Sequence, residues 1–123
     1  MGKKVIVIDD SRTARQQVIN VLRGAGFEVV EAVDGEDGVA KVSSNGDASL
    51  VICDVNMPKM NGLEVLAQVK SVPKNGTMPF LMLTTEAQPE LVAQAKQGGA
   101  KGWIIKPFKP DLLLAAVKKL TES

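Results

Sequence analysis

Side chains of the types that handle phosphorus stand just past short apolar runs. Asp9 and Asp10 follow residues 5–8, Asp54 follows 50–53, Thr84 and Thr85 follow 80–83, and Lys106 follows 103–105. If those runs are parallel strands, their far ends share one edge, and three carboxylates, a hydroxyl and an ammonium converge there. Carboxylates a few ångströms apart repel by an amount on the order of kcal/mol, so such a cluster persists where a cation or a lysine compensates it. Oxygen donors without imidazole or thiolate suit a hard cation, Mg²⁺ above all. Beside such a cation Asp54 can attack phosphorus, with Lys106 offsetting charge on the transferring group and Thr84 aimed at the same point. The product is an aspartyl phosphate. The segment Val55-Asn56-Met57-Pro58 reads as a loop that brings backbone carbonyls near the cation, with Pro58 stiffening it. Taken singly, Asp10 reads equally well as a helix cap, Thr84 as a structural residue and Lys106-Pro107 as a solvated turn. The joint arrangement carries the chemistry.

The elements that must position these groups follow from the apolar pattern. Runs 5–8, 27–30, 50–53, 80–83 and 103–105 read as buried strands, and the stretches between them have helical spacing, as in Ala14, Val18, Val21, Leu22 and Ala25. Ser11 caps the first helix, Gly24 and Gly26 close it, Pro89 opens the fourth, Gly98 and Gly99 stop it, and Pro110 opens the last. Asn45-Gly46 and Asn75-Gly76 each lie between a helix and a strand and read as loop residues. Five βα units of this length predict an α/β fold, a three-layer, doubly wound, five-stranded parallel sheet with right-handed crossovers. A single domain over residues 1–123 is expected.

Composition narrows the function classes. Hydrophobic residues make up 45% and charged residues 24%, as in ordinary globular domains, and no apolar run approaches the roughly 20 residues a membrane span needs. No signal-peptide core follows Met1, so a cytoplasmic location is expected. Fifteen Lys and Arg against fourteen Asp and Glu lack the electrostatic footprint of a nucleic-acid binder. The chain has no histidine, which excludes Ser-His-Asp and Cys-His devices and any phosphohistidine of its own. Cys53 is the single cysteine and can form neither an internal disulfide nor a zinc site.

The residues Asp9-Asp10-Ser11, Asp54-Val55-Asn56-Met57-Pro58, Met60-Asn61-Gly62, Thr84-Thr85-Glu86 and Lys106-Pro107-Phe108 resemble the receiver domain of two-component response regulators, in particular the stand-alone CheY type of chemotaxis. The resemblance runs from Lys4 to about Leu120. It implies a flavodoxin-like (βα)5 sheet of order 2-1-3-4-5. By the same resemblance Asp54 is the phosphoacceptor, Asp10 a direct Mg²⁺ ligand, Asp9 a ligand acting largely through water, and the Asn56 backbone carbonyl the remaining protein ligand. Thr84 is then the hydroxyl that moves to the phosphoryl group and Lys106 the lysine that pairs with it. Trp103 takes the aromatic switch position, where such proteins usually carry tyrosine, and Asn61 stands where many have aspartate. The pair Asn56 and Glu86 implies rapid self-dephosphorylation, with Thr85 narrowing access.

The implied partners are a sensor histidine kinase of the CheA type as donor and a protein target on the face of helix 4, strand 5 and helix 5. Leu112 and Leu114 lie beyond the stripe that the core requires and point to that face. A monomer without nucleic-acid or membrane binding is expected. Storage of phosphate as a sink or relay is the alternative output. The rival from another class is an aspartate-nucleophile phosphatase, but such enzymes place a second acid two residues after the nucleophile, where this chain has Asn56. A flavin or nucleotide carrier would need a glycine-rich turn after the first strand, where Asp9-Asp10-Ser11 is acidic instead.

Overall fold

The computed structural model describes residues 2–122, so Met1 and Ser123 of the expected domain lie outside the described residues. Five parallel strands, β1 (Lys4–Ile8), β2 (Glu28–Ala32), β3 (Leu50–Cys53), β4 (Phe80–Thr84) and β5 (Ala100–Ile105), form one sheet in the order β2-β1-β3-β4-β5. Helices α1 (Arg12–Gly24), α2 (Gly35–Ser44), α3 (Gly62–Ser71), α4 (Pro89–Gln97) and α5 (Pro110–Thr121) cover its two faces. This is the flavodoxin-like order that the resemblance implies.

Strand alternation decides which helices lie on which face. Ile6 and Ile8 point to one side and pack with Val42 of α2, Val65 and Leu66 of α3, and Ala95 of α4. Val5 and Val7 point to the other and pack with Val18 and Leu22 of α1 and Leu113 and Val117 of α5. The three central strands are covered on both faces, which is why they read as unbroken apolar runs. The helix starts follow the expected signals: the Ser11 hydroxyl accepts from the Ala14 N–H, and Pro89 and Pro110 occupy first-turn positions.

β1 and β4 each exceed the expected run by one residue, Lys4 and Thr84, and two strands differ by more, both at the sheet edges. Phe27 precedes β2, because its N–H closes α1 on the Leu22 carbonyl after Gly26 turns at φ 92°. The strand then runs on through Glu31 to Ala32, where an edge position tolerates a glutamate. Similarly, β5 begins at Ala100, three residues before its apolar stretch, since Lys101 and Gly102 suit a half-exposed edge. Residues Pro73–Asn75 form a 3₁₀ turn with Asn75 buried, a structured element where a plain loop is expected.

Candidate functional site

The sheet ladder itself places the site. Three of the candidate residues continue their strands by one more hydrogen bond: the Asp9 N–H donates to the Ala32 carbonyl at 3.2 Å, the Asp54 N–H to the Ile8 carbonyl at 3.1 Å, and the Lys106 N–H to the Thr84 carbonyl at 2.9 Å. The side chains therefore issue from backbone as fixed as the strands. Gly62, at the start of α3, lies so close beneath this edge that a Cβ there would stand 2.1 Å from the Asp54 carbonyl oxygen. Glycine is required at that approach. Asn61 caps the same helix in a reciprocal capping box with Glu64, so its amide satisfies the first turn.

Carboxylate oxygens of Asp9, Asp10 and Asp54 come within 4.8 Å of one another. Asp9 and Asp54 are buried and Asp10 is exposed. Lys106 Nζ donates to Asp9 Oδ2 at 2.7 Å and to Asp54 Oδ2 at 3.0 Å. The remaining oxygens of these two acids accept from backbone, Asp9 Oδ1 from the Ser11 N–H at 2.9 Å and Asp54 Oδ1 from the Asn56 N–H at 3.2 Å. Ser11, not Asp10, caps α1, which leaves the Asp10 carboxylate free of that task. Three carboxylates face one ammonium, an excess of two negative charges that matches one divalent cation. The donor set is all oxygen, so the residues present fit Mg²⁺.

Burial pushes the Asp9 carboxyl above its ordinary value, and the hydrogen bonds from Lys106 and the Ser11 N–H offset this only in part. Burial also works against the Lys106 charge, but its hydrogen bonds to Asp9 and Asp54 and their negative charges outweigh it and hold the ammonium protonated above its usual range. Cys53 lies directly under the cluster. Burial, then the charges of Asp54 and Asp9, push its thiol far up, so it stays an unreactive core residue.

Around the mouth the contacts run through Glu86. Its side chain accepts from Asn56 Nδ2 at 3.1 Å, its N–H donates to Thr84 Oγ1 at 3.3 Å, and its carbonyl accepts from Trp103 Nε1 at 2.9 Å. Thr84 is fully buried, whereas Thr85 is exposed. Trp103 does not join the carboxylate cluster; it is half-buried on β5, beside a groove lined by Val92, Ala95, Lys96 and Ala100. Of the two leucines expected beyond the α5 stripe, Leu112 is exposed by 61%, but Leu114 packs against the core. The helix turns Leu114 back toward the sheet, so only Leu112 is surplus to it.

One pair was not legible in advance. Arg15, on the buried stripe of α1, donates from Nη1 to the Asp9 carbonyl at 2.8 Å and from Nε to Glu31 Oε1 at 2.9 Å. The available signal was a cation one helical turn beyond the Ser11 cap, in line with Val18 and Leu22.

This architecture is a flavodoxin-like α/β module with an acidic cluster at one sheet edge. The sequence matches the model of the response regulator receiver domain over residues 5–118. The chain belongs to that family. Among curated relatives, the chemotaxis protein CheY1 of Helicobacter pylori is 39% identical over 111 residues, which cover 89% of this chain and 90% of that protein. Among solved structures, Vibrio cholerae chemotaxis protein CheY4 superposes with a TM-score of 0.91 at 40% identity, covering 98% of this chain and 99% of the other. A CheY from Borrelia burgdorferi, solved as a CheX-CheY-BeF3-Mg²⁺ complex, superposes with a TM-score of 0.90 at 28% identity over 98% of this chain and 90% of that one.

Proposed function

We propose that this chain is a CheY-like response regulator whose Asp54 carboxylate takes a phosphoryl group from a phosphohistidine of a CheA-type sensor kinase. The observation that carries the reading is Lys106 held between Asp9 and Asp54, with two negative charges left over for a divalent cation. In the transfer, an Asp54 oxygen forms a bond to phosphorus as the donor's P–N bond breaks, and the histidine leaves as the neutral imidazole after taking a proton. Lys106 neutralises charge on the phosphoryl oxygens, and Thr84 gives up its bond with the Glu86 N–H to reach one of them. Asp9, Asp10, Asp54 and the Asn56 backbone carbonyl would hold Mg²⁺, which when bound would supply charge stabilisation on the transferring group.

Asn56 and Glu86, joined across the mouth, orient the water that later removes the phosphoryl group. Thr85 is exposed beside Thr84, and by this reading it narrows access for donor and water. Movement of Thr84 reaches the surface through Glu86, whose carbonyl holds the Trp103 indole. A target then binds the face of α4, β5 and α5, where Ile105 and Leu112 are the exposed large apolar residues. The named CheY relatives support a role in chemotaxis. By this reading the protein acts in the cytoplasm as a monomer that signals and does not turn over external substrates.

Phosphotransfer from a phosphorylated kinase domain tests the reading against the phosphatase alternative. The wild type should take one phosphoryl group per chain in the presence of Mg²⁺, Asp54→Asn none, and neither should turn over p-nitrophenyl phosphate. Full labelling of Asp54→Asn, or sustained turnover of the ester, would overturn it.

A further inference from the structure

Arg15 is a buried cation with no part in the chemistry above. Its side chain is 10% exposed, and it occupies a stripe position of α1 that an apolar residue would fill at no electrostatic cost. Its guanidinium is used as a fork. Nε is anchored on Glu31, which stands opposite Val7 in the β1–β2 register, and Nη1 holds the carbonyl of Asp9. That carbonyl belongs to the peptide joining Asp9 to Asp10. Fixing it fixes the plane from which the Asp10 side chain departs, and Asp10 is exposed, so little else steers its carboxylate.

We infer that Arg15, braced by Glu31, is a positioning residue for the cation site: by holding the Asp9 carbonyl it aims the Asp10 carboxylate at the point it shares with Asp9 and Asp54. This rests on the reading that those three acids hold a divalent cation. The sign of the effect separates positioning from simple electrostatics. A positive charge near the site repels a divalent cation, so its removal alone would tighten binding. Loss of positioning weakens binding, as removal of outer-shell partners does. Lysine cannot replace the fork, because one ammonium does not reproduce two divergent N–H directions.

The test is titration calorimetry of the folded protein with Mg²⁺, then with Ca²⁺, in the wild type, Arg15→Met, Arg15→Lys and Asp10→Asn. Arg15→Met and Arg15→Lys should each bind Mg²⁺ about tenfold more weakly. Ca²⁺ should weaken less, since it tolerates irregular oxygen geometry where Mg²⁺ demands an octahedron. A general loss of stability would not move that ratio. If Arg15→Met does not fold, Arg15→Lys stands in: it keeps the charge and loses only the fork, so the same loss of about tenfold reports positioning alone. Wild-type or tighter Mg²⁺ binding in folded Arg15→Met, or in Arg15→Lys if that variant must stand in, overturns the inference while Asp10→Asn still loses affinity. Absence of Mg²⁺ binding by the wild type, or full binding by Asp10→Asn, overturns the cation reading and the inference with it.

Discussion

Two charged clusters lie side by side at the end of β1, and they are built on opposite principles. The outer one is balanced: Arg15 pairs with Glu31, and Lys41 pairs with Asp37 at 3.0 Å while donating to the Glu31 carbonyl at 3.0 Å. The inner one sets Lys106 against Asp9, Asp10 and Asp54. The ionisation of their acids follows suit. Burial works against the Asp37 charge, but hydrogen bonds from the Val33 N–H and Lys41 outweigh it and hold its carboxyl below the ordinary value. Asp9 is pushed the other way by burial. A cluster that satisfies its own charges holds the fold together; one left two charges short suits an exchangeable cation, as the proposed function requires. The Asp9 carbonyl, bonded to Arg15, joins the two.

The largest expected break lies at the support of the inner cluster. Gly62→Ala would drive a methyl group into the Asp54 carbonyl, and a loss of about 3 kcal/mol in urea unfolding is expected for such overpacking. Lys106→Met comes next. Breaking a buried ion pair costs roughly 3–5 kcal/mol, and about 2 kcal/mol is expected here because the ammonium keeps some contact with water. Saturating Mg²⁺ should restore much of it, so the Mg²⁺-induced rise in Tm should exceed that of the wild type.

A smaller effect, of opposite sign in the two clusters, should appear in the pH dependence of the metal-free protein. Asp9 has a folded pKa above 3.8, so its ionised form opposes folding; stability should increase as pH falls through that raised value toward 3.8. Asp37 has a folded pKa below 3.8, so its contribution is present above 3.8 and is lost as pH falls through the lowered value. Asp9→Asn should remove the first slope and leave the second, and Asp37→Asn the reverse, in urea midpoints collected from pH 7 to pH 3. Lys41→Met should matter least. Its pair with Asp37 is partly exposed, so a loss within about 0.5 kcal/mol and unchanged Mg²⁺ affinity are expected. A change in Mg²⁺ affinity on loss of Lys41 would mean that the two clusters are linked by more than Arg15.

The inner cluster was legible in the sequence because each member ends an apolar run, and parallel strands bring their ends together. Asp54 after Leu50–Cys53 needed no other information. The outer cluster was not, since Arg15, Glu31, Asp37 and Lys41 come from three elements and each alone resembles an ordinary surface charge. Pairing β1 with β2 brings Glu31 opposite Val7, and only then does Arg15 meet it. Edge strands misled for the same reason: half-exposed Glu31 and exposed Lys101 are polar residues that hide the strand. The hydrogen bond of Trp103 to the Glu86 carbonyl depends on how the β4–α4 loop folds over the sheet edge, which no local pattern encodes.

The most direct test of the central claim, that the charge-deficient cluster takes a phosphoryl group on Asp54, is to locate the modification chemically. The protein is treated with acetyl phosphate with and without Mg²⁺, reduced with borohydride, and sequenced by mass spectrometry; the hydride reduces an acyl phosphate to an alcohol with loss of phosphate, converting the aspartate to homoserine. The account predicts homoserine at position 54 alone, and only in samples that contained Mg²⁺. Homoserine at Asp9 or Asp10, or equal conversion of Asp54 in the presence of chelator, would contradict it.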